Sequence, residues 1–179
     1  VGSEMCIRDS SNSEYTEVRL IPTREPKGEP TLLIPKSAGI EYYAEPLNIA
    51  GEQHLLIQHD YNALNSELVL ADMPREGESL EEYAARWVPV IRHSEHVRLE
   101  GFTFTATHLV VTARADTTTR IFLAPREQLP IQWRRRRPAG VTFMEPAGFD
   151  EELYTASVLR AENYSPVLRI AYTSYLTPR

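Results

Sequence analysis

Cysteine is almost missing from this chain of 179 residues; the only one is Cys6. With no second thiol there is no disulfide framework and no thiolate metal site. A reducing, cytoplasmic setting fits that composition. Long apolar runs are missing too. The longest uncharged stretch, Gly101 to Ala113, is interleaved with threonines and is too short for a spanning helix. Catalytic signatures are equally scarce. There is no Gly-x-Ser-x-Gly elbow, no His-Glu-x-x-His and no phosphate-cradling glycine loop, so the chain carries no nucleophile turn, zinc helix or nucleotide loop of those kinds. No cofactor and no metal is expected.

The lone cysteine sits in an odd decapeptide, VGSEMCIRDS. A signal peptide needs a basic start and an apolar core of about 7–15 residues, but Glu4, Arg8 and Asp9 interrupt every apolar run. The stretch lacks strand character as well. Back-translated as GTG GGC TCG GAG ATG TGT ATA AGA GAC AG-, it looks like the product of a transposon-type sequencing adapter. Residues 1–10 are therefore expected to be an artefact, with residues 11–179 as the native portion. Leaving out Glu4, Arg8 and Asp9 changes the formal net charge from −6 to −5. A mildly acidic surface argues against a nucleic-acid or anionic-membrane partner.

Strand signals fill the rest. EYTEVRLI (Glu14–Ile21), TLLI (Thr31–Ile34), IEYYAEPL (Ile40–Leu47), EQHLLIQHD (Glu52–Asp60) and SELVLAD (Ser66–Asp72) are short and bounded by Pro, Gly or Asn. VRLEGFTFTAT (Val97–Thr107), HLVVTARA (His108–Ala115), TTRIFLAP (Thr118–Pro125), VTFME (Val141–Glu145), LYTASVL (Leu153–Leu159) and VLRIAYTS (Val167–Ser174) follow the same rule. The Pro-rich segment Pro22–Pro30 reads as a surface loop. One short helix is expected near 79–87. Ser79 and Glu82 form a capping box, and Leu80, Tyr83, Ala84 and Trp87 fall on one face. Such a helix either docks on the side of a sheet or binds a partner.

A repeat organises these strands. HLLIQHDYNALNSELVLADMP begins at His54, and HLVVTARADTTTRIFLAPRE begins 54 residues later at His108. Each is an apolar strand, a polar turn and a second apolar strand. Each also follows another strand and precedes one, around Trp87–Ile91 and Val141–Glu145, and a third unit begins at LYTASVL. Antiparallel units recurring every roughly 40–50 residues or slightly more read as propeller blades. An antiparallel sandwich without true repeats is the alternative. The expected fold is all-β: a partial β-propeller of four-stranded antiparallel blades. A closed ring takes about 4–8 blades, whereas residues 11–179 hold about three at this spacing, so a fragment is expected. Open blades would leave unpaired strand edges.

Few side chains invite a chemical role. His93 and His96 lie three apart in RHSEHVRLEG, in a turn without an obvious third ligand. His54 and His108 recur at the same place in the repeat, which suggests a packing role at a strand start. His59 and Asp60 could form a hydrogen-bonded pair, or simply serve the turn at a strand end. WRRRRP (Trp133–Pro138) is the conspicuous charge run. Arg134–Arg137 beside an indole could grip phosphate or stack on bases. As a solvated loop it could instead meet an acidic face of another domain. Two further readings stay open: a complete β-rich interaction domain using Trp133–Arg137, and an RNA-binding module with salt-sensitive affinity.

RLEGFTFTATHLVV (Arg98–Val111), GFDEELYTASV (Gly148–Val158) and LRIAYTSYLTPR (Leu168–Arg179) together resemble the later propeller blades of the oligopeptidase B group, within the prolyl oligopeptidase family of serine peptidases. The strand, Tyr-Thr-Ser step and Thr-Pro-Arg of the last stretch carry the most specific likeness. IEYYAEPL and the strands after it fit the preceding blade, and the resemblance extends over roughly residues 15–179. PREGESLEEYAARW (Pro74–Trp87) matches less well and resembles an insertion. The resemblance implies a seven-bladed propeller capping an α/β-hydrolase domain with a Ser-Asp-His triad. It implies cleavage of short peptides after Arg or Lys, with the propeller filtering substrates by size; prolyl oligopeptidase itself would cleave after Pro. The family places all three triad residues in the hydrolase domain, so no catalytic residue is assigned here. The partners implied are that missing domain and short peptide substrates.

Overall fold

The computed structural model describes residues 5–11, 16–22, 27–35, 38–136, 141–146, 154–159 and 164–174. These contain twelve strands and two short helices, and every strand pairing is antiparallel. The chain divides into two compact units, Val1–Arg92 and His93–Arg179.

The first unit is built on β4 (Tyr42–Ile49), β5 (Glu52–His59), β6 (Glu67–Ala71) and β7 (Val88–Ile91). They pair in chain order as a four-stranded sheet, the blade expected from the repeat. Local chemistry sets the order. Ala50 and Gly51 both take positive φ (55° and 91°), as a two-residue hairpin turn requires, and Asn48 Oδ1 accepts the Gly51 N–H at 2.9 Å. Pro46 lies in β4, an edge strand, where a residue without an N–H is tolerated. A three-stranded sheet comprises β1 (Met5–Ser11), β2 (Thr16–Pro22) and β3 (Thr31–Leu32).

Val18 and Leu20 of β2, with Leu33 and Ile34 just after β3, pack with Tyr42, Ala44, Leu55, Ile57, Val69 and Ala71 of the blade. On the strands, alternation puts them together, since residues i and i+2 share a sheet face. Tyr42 joins the sheets with a polar bolt: its buried hydroxyl accepts the Val18 N–H (2.8 Å) and the Ile34 N–H (3.3 Å), and donates to Ile34 O (3.2 Å).

The decapeptide lacks strand alternation, yet Met5–Ser11 runs antiparallel to β2 over seven residues. The physical reason is that ladder pairing uses backbone groups, so an open edge accepts an extended segment of almost any composition.

The helix foreseen near 79–87 is α1 (Leu80–Ala84). Ser79 Oγ accepts the Glu82 N–H (3.2 Å), while the Glu82 carboxylate accepts the Ser79 N–H (2.9 Å), a reciprocal capping box. Tyr83 is buried, and Leu80 and Trp87 pack against the same core. The helix thus covers a sheet.

In the second unit β8 (Val97–Phe104), β9 (His108–Ala115) and β10 (Thr118–Pro125) form a meander. The fourth strand expected at Val141–Glu145 is reduced to one bridge between Met144 and Leu123, with both hydrogen bonds at 2.8 Å. Pro146 follows it and supplies no N–H to extend a ladder. Two more strands, β11 (Tyr154–Val158) and β12 (Ile170–Ser174), make a separate pair. Ala156 packs on Val110 and Ile121, with Leu123, Val158, Leu168 and Ile170 around them.

A second helix, α2 (Gln128–Arg135), corrects the reading of WRRRRP as a loop: Trp133, Arg134 and Arg135 are its last turn. Leu129 and Gln132 are buried at helical spacing, Pro130 lies in the tolerant first turn, and terminal arginines complement the helix dipole. Arg136 ends it in the left-handed conformation (φ 53°), its N–H donating to Gln132 O. Arg137, Pro138, the 148–153 part of GFDEELYTASV and Thr177–Arg179 lie outside the described residues. No described helix is long and apolar enough to cross a membrane.

Candidate functional site

The histidines singled out by sequence do not converge. Among the described residues no group of three His, Cys, Asp or Glu side chains could hold a metal ion, so His93 and His96 gain no third ligand there. His54 and His108 are not equivalent. His54 is the third residue of β5, buried, opposite Leu47 and with Nδ1 at 3.1 Å from Glu52 O. His108 opens β9 opposite Pro125, with Nδ1 at 2.8 Å from Thr107 Oγ1. The repeat aligns strands, but the register slips by two residues between the histidines.

His59 and Asp60 also separate. Asp60 Oδ1 accepts the Glu41 N–H at 2.9 Å and the Asp60 N–H donates to Glu41 O, a cross-strand pair beyond the end of the β4–β5 ladder, while Asp60 O accepts the Ala63 N–H (2.9 Å) in the turn that follows. The His59 ring turns inward, 2% exposed, with its centroid 4.5 Å from that of Trp87. Neither ring nitrogen has a hydrogen-bond partner among the described residues. Burial pulls its pKa down to about 4, against the opposing pull of Glu67 and Asp60. At neutral pH it is an uncharged aromatic filler. Tyr61 and Tyr83 meet the same indole edge-on, at 6.4 and 5.5 Å.

Two arginines differ sharply in environment. Arg86 reaches back to the loop before α1, where Nη2 and Nε donate to Glu78 (2.6 and 2.8 Å) and Nη1 donates to Asp72. Its hydrogen bond holds the Glu78 carboxyl down at about 2. Tyr83 donates to Asp72 O (2.9 Å), and burial raises its phenol pKa.

Arg126 follows β10. Its guanidinium lies 4.5 Å from the Phe104 ring centroid, and Nη1 donates to Thr105 O at 3.0 Å. Burial lowers its pKa. No ion pair to a described carboxylate offsets that burial. Sequence reasoning missed this position because a single arginine after a strand carries no signal until Phe104 lies beneath it.

On the same unit, Glu100, Gly101, Phe102, Thr103, Thr112, Val158 and Leu159 line an open groove of about 450 Å³. A register shift in the β8–β9 pairing lies between Leu99 and Gly101, beside it. At α2 the Arg136 guanidinium stacks 4.1 Å from the Trp133 ring centroid. The described residues form surfaces and a groove, and no nucleophile–base pair stands among the contacts above.

Comparison with known proteins fits that picture. Among curated proteins none matches. Oligopeptidase B from Trypanosoma brucei, solved with covalently bound antipain in a closed form, is similar in fold (TM-score 0.69, 21% identity) over 98% of this chain and 23% of that one. Oligopeptidase B from Leishmania major is similar at TM-score 0.71 and 22% identity, with the same two coverages. A structure from a study of two prolyl endopeptidases matches at TM-score 0.64 and 14% identity, over 98% of this chain and 24% of that one. The chain thus spans about a quarter of the length of these structures. Residues 3–179 match the family model described as the prolyl oligopeptidase N-terminal beta-propeller domain, and by that match the chain belongs to this family.

Proposed function

We propose that the chain is about three blades of the substrate-gating propeller of a cytoplasmic, oligopeptidase B-like serine endopeptidase that cleaves short peptides after Arg or Lys. The observation that carries this reading is the family match over residues 3–179, joined to fold likeness with two oligopeptidase B structures. The chemistry belongs to an α/β-hydrolase domain outside these residues. There a serine attacks the peptide carbonyl, a histidine carries the proton, an aspartate orients the ring, and an oxyanion hole stabilises the intermediate. The propeller's part is exclusion: a rigid ring over the site admits short peptides and keeps out folded proteins and bulk water. These residues alone are catalytically inert. The same reading holds residues 1–10 to be adapter-derived, which the genomic bases upstream of Ser11 decide.

The test is expression of the intact gene product, followed by assay with matched peptides ending in Arg, Lys or Pro before the reporter. Cleavage after Arg and Lys, blocked by antipain (the ligand of the trypanosome structure), is the expected result. An intact reading frame without a Gly-x-Ser-x-Gly elbow overturns the enzyme assignment. Cleavage after Pro alone favours a second reading as a prolyl oligopeptidase, which the likeness to the prolyl endopeptidase fold supports.

A further inference from the structure

The segment between β6 and β7, Pro74–Trp87, is a strap that carries its own fastenings. The capping box closes α1 locally, and Arg86 ties the far end of the strap back to Glu78 and to Asp72, just after β6. Its grip on the sheet is of another kind. Leu80 and Tyr83 enter the core, Tyr83 donates to Asp72 O, and Trp87 lies against the rings of His59, Tyr61 and Tyr83. Of those three rings, only the imidazole can change its charge between pH 7 and pH 4.

His59 ends β5, opposite Tyr42 of β4 and Glu67 of β6. Tyr42 uses its hydroxyl on Val18 and Ile34, and the neighbouring Asp60 accepts the Glu41 N–H. On the strap side, Tyr61 and Tyr83 face the indole, and the Arg86 guanidinium lies over the Tyr83 ring. Both ring nitrogens of His59 and Nε1 of Trp87 are buried without a hydrogen-bond partner among the described residues. A neutral imidazole tolerates that seat. An imidazolium does not, because its charge and both N–H donors lose water without replacement. Glu67 and Asp60 favour the cation, and burial outweighs them.

We propose that His59 and Trp87 form an acid-released latch: protonation of the imidazole frees the Pro74–Trp87 strap from the sheet while the strap keeps its own fold. Two titrations separate those events. Covered by Trp87, His59 resists protonation down to about 4, whereas an uncovered ring takes its proton at an ordinary 6.5. Opening is therefore favoured as pH falls from 6.5 to 4, and no further below that. Glu78, held at about 2 chiefly by its hydrogen bond from Arg86, stays ionised through the same window. The pair that ties Arg86 to Glu78 thus outlasts the latch, and the strap moves as one piece.

Hydrogen exchange on the full chain, read by mass spectrometry and corrected for the pH dependence of the chemical rate, tests this. Between pH 7 and pH 4, protection over residues 80–87 is expected to fall about a hundredfold, as a change from 6.5 to about 4 implies. Protection in β5 and β6 should persist. His59→Phe keeps a ring against Trp87 and removes the titration, so its strap should be equally protected at both pH values. His59→Gln gives the same reading should the Phe variant not fold. Strap protection that holds at pH 4 in the unaltered chain overturns the proposal. Loss of β5 and β6 protection in step with the strap also overturns it, since acid then unfolds the whole unit. A loss that persists in the His59 variants places the titrating group elsewhere, and the latch falls.

Discussion

The two units use the same strand vocabulary but close their cores differently. In the first, two sheets and a capped helix enclose a core with a buried hydroxyl at its centre, and Arg86 is bracketed by two carboxylates. In the second, a three-stranded meander and a strand pair pack through Val110, Ile121 and Ala156, Met144, Tyr164 and Val167 are exposed, and Arg126 has no counter-ion among the described residues. The pairing of Arg86 is local to the first unit; that unit also buries the His59 ring without a hydrogen-bond partner among the described residues and leaves Leu64 exposed, so polar satisfaction is a property of single positions rather than of a whole unit. Each unit carries one tryptophan, Trp87 and Trp133, so fluorescence can follow each by itself in variants that keep only one.

The largest effect should come from Leu55→Ala in the first core. Leu55 is fully buried, and its loss should cost about 2–5 kcal/mol, seen as a lower urea midpoint for Trp87 and not for Trp133. A common shift of both probes would show that the units unfold as one.

Acid should act on the same unit. His59 has a folded pKa of about 4 against an ordinary 6.5. The unfolded chain therefore takes up a proton first as pH falls. Stability is complete above pH 6.5, declines between 6.5 and 4, and is level below, a loss of about 3 kcal/mol as an order of magnitude. His59→Phe should flatten that window in Trp87-monitored denaturation, and an unchanged slope would place the titration elsewhere.

Tyr42→Phe leaves the Val18 and Ile34 N–H groups without their hydroxyl and should cost about 1–3 kcal/mol, with faster amide exchange at those two positions as the check. In the second unit, Phe104→Leu removes the ring under Arg126 and leaves a gap at a buried position, so it should cost about 1–2 kcal/mol and lower the Trp133 midpoint, leaving Trp87 unmoved. Ser79→Ala removes the cap and should cost about 1 kcal/mol, read as local exchange over 80–84.

Period and punctuation revealed most strands. Glu52–His59 and His108–Ala115 fall within a residue of where alternation and turn residues put them, and the α1 cap was readable as Ser79-x-x-Glu82. The second helix was hidden because a run of four arginines reads as a solvated loop. Its evidence is the burial of Leu129 and Gln132, and Glu127 offers no side-chain cap. Met5–Ser11 was illegible as a strand because edge pairing depends on the neighbour's free backbone. For the candidate site, the sequence pointed to histidines and arginines at 133–137, whereas Arg126, stacked on Phe104, had no motif at all.

Sequence by itself determined the antiparallel repeat, the turns and the α1 cap, because alternation, positive-φ turns and caps are local properties written over a few residues. Tertiary structure alone decided which charges are compensated. Arg86 finds Glu78 and Asp72 because a helix folds back on its own loop, and Arg126 lies over Phe104 because β8 and β10 flank the same strand. Burial and counter-ions are settled by residues distant in the chain, and no local pattern encodes them.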